Sequence, residues 1–397
     1  MQHLTAAAPK AFLRPMPLHF TPAEYATRRE KARAALQTAG LDALLMFAPE
    51  SHFWISGYDT FGFAMFQCMV LTAKGDLHLL TRTPDLRQAQ YTSTLATEEI
   101  HIWQDIEGAS PARDLANLLT DLGVTGRVGY ESDTVGLTDR TGRALHAAIP
   151  GLIDASDLIR ALRRVKSPAE IEMHRRAAQL SDDALDQAIQ LARPGAFEGD
   201  ILAAMQGAVF KGGGDYAGNE FILGSGPGAL LCRYYSGRRH LSATDQLTLE
   251  WSGAYARYHA AMMRTILVGK ASDHHRRMHE AAVEALTACE AAIRPGAPMG
   301  DVYAAHARVF DARGLSHARL RACGYGMGAV YNPIWVDFPM FYEGNPLIMQ
   351  EGQVFFLHMI LMDSEAGEAM TLGHSVLVTA NGVERLSRHG LDLILNA

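Results

Sequence analysis

Along the first part of the chain, apolar residues follow two alternating rhythms. From Pro22 to Ala39 they fall at helical spacing among Glu, Lys and Arg, and the next segment, Ala43-Leu44-Leu45-Met46-Phe47, is a short apolar run of strand length. Helix-like and strand-like segments keep alternating in this way, which predicts an α/β layer domain. A charged stretch, Asp157 to Lys166, then leads into Ser167-Pro168-Ala169-Glu170. Ser at the N-cap, Pro at the first helical position and Glu at the third form a capping box, so a long helix begins there. The domain boundary is placed near residue 160, giving an N-terminal domain 1–160 and a C-terminal domain 161–397.

The second domain repeats itself. Arg193-Pro194-Gly195-Ala196, followed by Gly199-Asp200-Ile201 and Ala203-Ala204, recurs as Arg294-Pro295-Gly296-Ala297, followed by Gly300-Asp301-Val302 and Ala304-Ala305. Each copy reads helix, Arg-Pro-Gly turn, helix and then strands, which predicts a pseudo-two-fold α+β domain with its cleft at the seam between halves. Two matching strands fit that cleft. Gln246-Leu247-Thr248-Leu249-Glu250-Trp251 sets a carboxylate into an apolar run, and Gln353-Val354-Phe355-Phe356-Leu357-His358 ends in an imidazole. A charge inside an apolar strand is costly unless it is paired or used, so Glu250 and His358 are the first candidates for chemistry.

Composition narrows the field. The chain has 397 residues, 48% hydrophobic and 20% charged, with a formal net charge of −7, so two well-buried domains are expected and no basic surface for nucleic acid is offered. The N-terminal stretch Met1 to Phe20 has no signal-peptide pattern and no run reaches the length of a membrane span, so a cytoplasmic location is expected. Cys68, Cys232, Cys289 and Cys323 form no CxxC pair, which argues against a disulfide framework.

Four segments resemble one known family. Leu162 to Arg176, LRRVKSPAEIEMHRR, resembles the domain-joining segment of creatinases, prolidases and aminopeptidases P. Phe221 to Tyr234, FILGSGPGALLCRY, is similar to the stretch that ends there in a substrate-handling histidine, and Leu249 to Thr265 to the hairpin that carries two aspartate ligands. Gly324 to Gly328, GYGMG, sits where those enzymes show Gly-His-Gly. The resemblance implies a creatinase-type N-terminal domain and a pita-bread C-terminal domain. It also implies a lost dinuclear centre: Glu250, Ala261, Tyr325, His358 and Gly373 stand at the five ligand positions, and they cannot supply bridging carboxylates. No metal or other cofactor is expected. Arg233 replaces the substrate-handling histidine, which creatinase, a metal-free member, uses as its proton shuttle.

The metal-free ectoine hydrolase branch is more similar still, with a glutamate in the same hairpin followed by Arg257-Tyr258-His259, and with likeness at Cys323 to Trp335 and at Ser56 to Phe63. The implied activity is metal-independent hydrolysis of an amide or amidine C–N bond in a small zwitterionic nitrogen compound. Glu250 is the expected nucleophile or base, His358 the acid, Tyr325 an oxyanion donor and His259 a further catalytic candidate. Arg233 and Arg264 are expected to clamp the substrate's carboxylate. Trp251 and Trp335 are expected to contact substrate, with Tyr58, Asp59, Phe61 and Phe63 closing the cleft from a loop of a homodimer partner. The alternatives are a mononuclear-metal Xaa-Pro peptidase-like hydrolase using Glu250, His259, His358 and His374, a lyase, or a non-catalytic pita-bread binding protein.

Overall fold

The structure, a computed structural model, describes residues 18–233 and 237–396, so Tyr234 and most of the N-terminal stretch read above lie outside the described residues. The chain divides into two compact units, Met1–Leu162 and Arg163–Ala397. Among the described residues no helix is long and apolar enough to cross a membrane.

In the first unit, strands β1 (Ala43–Met46), β2 (Cys68–Thr72), β3 (Leu77–Arg82), β4 (Ile100–Trp103), β5 (Val128–Tyr130) and β6 (Ile153–Asp154) form one mixed sheet in the order β4-β3-β2-β1-β5-β6. β1 is buried along its whole length, as its continuous apolar run requires. The helix expected from Pro22 runs Pro22–Thr38 and is capped by the Thr21 side chain. Contrary to the expectation for the loop, Tyr58 is fully buried in this unit's own core, stacks on His52 and accepts a hydrogen bond from Gln67 at 2.9 Å, so its ring is not available as a cleft wall. Asp59 and Phe63 are half-buried, whereas Phe61 is 83% exposed.

The second unit is built on β7 (Ile222–Ser225), β8 (Asp245–Tyr255), β9 (Tyr258–Val268), β10 (Ala322–Gly326), β11 (Asp337–Tyr342), β12 (Val354–Asp363), β13 (Glu368–Thr379), β14 (Gly382–Arg385) and β15 (Ile394–Asn396). The sheet order is β11-β10-β12-β13-β9-β8-β7, with β14 on β13 and β15 on β9. The β8–β9 and β12–β13 hairpins therefore lie side by side, flanked by β7 and β10 respectively, and the sequence repeat appears as a pseudo-symmetric pair of hairpins.

The helices repeat as well. Pro168–Leu191 and Glu198–Lys211 in one half match Asp273–Ala292 and Met299–Ala312 in the other. Each pair is joined through an Arg-Pro-Gly turn whose glycine takes a left-handed φ, 82° at Gly195 and 88° at Gly296. The Ser167–Glu170 capping box is present with both of its reciprocal bonds.

Side chains of a strand alternate between faces. In β8 the odd-numbered residues meet the first long helix: Trp251 donates to Ser181 O at 2.9 Å, and a Cβ on Gly253 would lie 2.1 Å from Ala177 O, so only glycine lets strand and helix close up. In β12 the odd-numbered Phe355, Leu357, Met359 and Leu361 pack into the second helix pair's core. Glu250 and His358 are left on the inner face.

Candidate active site

Register brings the inner-face residues into rows. Glu250 pairs with Met263, Met263 with Gly373, and Gly373 with His358, so these four share one row across β8, β9, β13 and β12. The next row runs from Ser252 and Ala261 to Phe356 and Tyr325, where Tyr325 on β10 pairs with Phe356 on β12. Tyr325 links the two halves of the repeat. Its hydroxyl lies 3.3 Å from Glu250 Oε1, while its ring centroid is 5.3 Å from Phe356 and 5.6 Å from His358. Trp335 donates its indole N–H to the same hydroxyl at 2.8 Å.

Burial sets the electrostatics. Glu250 is 9% exposed, and loss of hydration raises its carboxyl to about 7, opposed by the Arg233 charge and the Tyr325 hydrogen bond. Burial depresses His358 to about 4. Tyr325 is pushed well above the usual phenol range by burial, with the Glu250 charge adding to it. Cys232 is half-buried, and its thiol is raised first by burial and then by Glu250, which places it beside the carboxylate. Arg233 is exposed, and its charge acts on Glu250, Tyr325 and His358 alike.

Two inner-face atoms are buried with no hydrogen-bond partner among the described residues: His358 Nδ1 and Thr248 Oγ1. Such groups are costly unless something polar reaches them. Thr248 was not singled out from the sequence, yet it stands two residues before Glu250 on the same strand, and period-2 alternation alone would have put the two on one face.

Several expected site residues belong elsewhere. Arg264 pairs in register with Leu249, on the helix-facing side of the sheet, and donates to Met263 O at 2.7 Å and Gly373 O at 2.6 Å, so it is neither a substrate clamp nor an ion-pair partner of Glu250. Trp251 lies on that same face. His259 is fully buried with both ring nitrogens engaged: Nε2 accepts from Gly218 N–H at 2.8 Å and Nδ1 donates to Arg257 O at 2.8 Å, which leaves no free atom for catalysis. Trp335 is 2% exposed, and its indole N–H is engaged by the Tyr325 hydroxyl. Tyr325 has its proton directed at Glu250, not at an oxyanion. His374 turns to the helices and shares Glu290 with Arg385.

A model of metallopeptidase family M24 matches residues 172–380, and a creatinase/prolidase N-terminal domain model matches residues 28–165. The chain belongs to metallopeptidase family M24. It is a hydrolase of that family with a creatinase-type N-terminal domain and a pita-bread C-terminal domain. An uncharacterised hydrolase/peptidase of Sinorhizobium fredii is 28% identical over 391 residues, covering 95% of this chain and 99% of that one. The ectoine hydrolase of Halomonas elongata is 27% identical over 390 residues, covering 93% and 96%. The solved Xaa-Pro dipeptidase of Bacillus anthracis superposes with a TM-score of 0.82 at 21% identity, covering 94% of this chain and 99% of that chain, and shares the fold.

The donor set does not fit the metal pair that the family name implies. Ala261 and Gly373 carry no donor atom, and the Tyr325 hydroxyl is spent on Glu250 and Trp335. Among the described residues no three His, Cys, Asp or Glu side chains are arranged to hold an ion. Nor can a ligand be restored at 373 by a side chain alone, since a Cβ there would lie 2.4 Å from Leu357 O.

Proposed function

We propose that this chain is a metal-independent hydrolase that opens an amide or amidine C–N bond in a small zwitterionic nitrogen compound. The observation that carries the reading is Glu250: a buried carboxylate, hydrogen-bonded by Tyr325, in a site whose other ligand positions hold no carboxylate. Its similarity to an ectoine hydrolase over nearly its whole length supports the same reading.

Glu250 does the central work. It takes a proton from water as the water oxygen bonds to the carbon of the C–N group, and it returns that proton to the leaving nitrogen as the bond breaks. In the direct route the carboxylate bonds to the carbon, the C–N bond breaks as the leaving nitrogen takes a proton from water, and a second water then hydrolyses the acyl-enzyme to the same products. A carboxyl held near 7 suits both directions of transfer at neutral pH, and a cationic nitrogen of the substrate beside it favours the ionised form. His358, held near 4, is neutral at that pH, so it does not serve as the resting acid that the sequence suggested. Arg233, exposed beside these groups, receives the substrate's carboxylate.

The test is to assay cyclic amidines and guanidino acids with chelator-treated protein. Turnover that survives chelation and is lost in Glu250→Gln supports the reading. Activity that appears only after a divalent metal is added would overturn it.

A further inference from the structure

We propose that Trp335 is a positioning residue: its indole N–H fixes the Tyr325 proton on Glu250 Oε1 and so leaves Oε2 as the reacting oxygen. The proposal rests on the reading of Glu250 as the base or nucleophile.

A tyrosine hydroxyl has one proton to give and lone pairs to receive, whereas an indole N–H can only donate. At 2.8 Å the Trp335 N–H occupies an acceptor position of the Tyr325 oxygen. The phenolic proton is then directed to Glu250 Oε1, 3.3 Å away, and the carboxylate is left asymmetric, with Oε1 bonded and Oε2 without a hydrogen bond among the described residues. Donation into the phenol also polarises its O–H, so the bond to Glu250 is stronger with Trp335 in place than without it.

The indole is itself held. A Cβ on Gly218 would lie 2.8 Å from Ile334 O and 3.3 Å from Trp335 Cα, so the backbone at Gly218 supports the segment that carries the indole. Gly218 N–H is in turn tied to His259 Nε2, and His259 Nδ1 to Arg257 O. Arg257 and Ala256 form the β8–β9 turn with left-handed φ values of 64° and 48°, unusual for residues with side chains. Besides His259, the turn is held by Asp215, which accepts from Arg257 N–H, by Val330 N–H, which donates to Arg257 O, and by Tyr331, under the Arg257 guanidinium. His259 thus acts at a distance, through the backbone that supports Trp335.

The experiment follows Glu250 by NMR in protein carrying ¹³C-labelled glutamate, with its signal assigned by loss in Glu250→Gln. The charged and titratable groups around Glu250, namely Arg233, Cys232 and Tyr325, and His358 against the Tyr325 ring, are unchanged in Trp335→Phe. That variant should raise the Glu250 midpoint by about half to one pH unit, because a weaker Tyr325 bond stabilises the carboxylate less. Tyr325→Phe should raise it at least as far, and the double variant should match Tyr325→Phe alone. With a substrate in hand, the acid limb of kcat/KM should move with the midpoint while KM changes little. An unchanged midpoint in Trp335→Phe, or a full extra shift in the Tyr325→Phe background, would refute the proposal. A midpoint that moves while the rate ignores it would keep the hydrogen-bond chain and sink the role of Glu250. Should Trp335→Phe fail to fold, the ¹⁵N-indole signal of Trp335 in the unaltered protein decides: it must shift at the Glu250 midpoint, and indifference to that titration overturns the proposal.

Discussion

Gly373 lies in register opposite His358, and a Cβ built on it would stand 2.4 Å from the carbonyl oxygen of Leu357 on the same neighbouring strand. The missing ligand at this position is therefore built into the spacing of β12 and β13. Replacing Gly373 by Glu together with Ala261 by Asp should not create a metal centre, and should cost about 1–3 kcal/mol of stability through overpacking. Thermal melting and elemental analysis of the double variant check both halves. A stable variant that binds two divalent ions would show that the strands can part.

The unaltered protein should carry no stoichiometric transition metal, because a lone carboxylate and a buried neutral imidazole make a poor site beside an alanine and a glycine. Elemental analysis after mild dialysis measures it. One retained metal per chain would bring the mononuclear reading to the front.

Glu250→Gln should lower turnover by about 10²–10⁴-fold or more, since it removes basicity and nucleophilicity while keeping shape. Stability should move the other way. The folded carboxyl is raised from 4.5 to about 7, so the unfolded chain ionises first as pH rises, and unfolding releases a proton between those values. The unaltered protein therefore loses stability from about 4.5 to about 7 while the glutamine variant does not. Melting temperatures of both across that range provide the measurement. Parallel curves would mean that Glu250 ionises as readily folded as unfolded.

For the same reason the activity should climb with pH through an acid limb near 7, as the carboxylate form is populated. A profile of kcat/KM against pH tests this. A limb near 4 would point instead to His358, whose imidazole is held about there.

The chain is expected to be a homodimer, on the family resemblance and on Phe61, whose 83% exposure leaves a large aromatic ring in water. Light scattering should give twice the chain mass, and Phe61→Asp should weaken the association. A monomer in the unaltered protein would remove the dimer and its shared loop together.

Much was legible in the sequence because it depends on local pattern. The capping box at Ser167, the repeat at Arg193 and Arg294, and the apolar strands around Glu250 and His358 are each written in contiguous residues, and local chemistry dictates the elements they form. The four motifs gave the family in the same way. What the sequence could not give was the cross-strand register and the partner each side chain meets. Arg264 and Glu250 sit on one hairpin in sequence, yet strand alternation and cross-strand register put them on opposite sides of the sheet. Trp335 in a loop and Tyr325 on β10 lie ten residues apart, and it is the tertiary structure, with Ile334 and Trp335 packed against Gly218, that brings the indole to the phenol. His259 looked reactive because a histidine near a carboxylate can be, and the tertiary structure closed both of its nitrogens. Sequence determines which groups a site has to draw on. Which of them keep an open atom is decided by burial and hydrogen bonding, and those are properties of segments far apart in the chain.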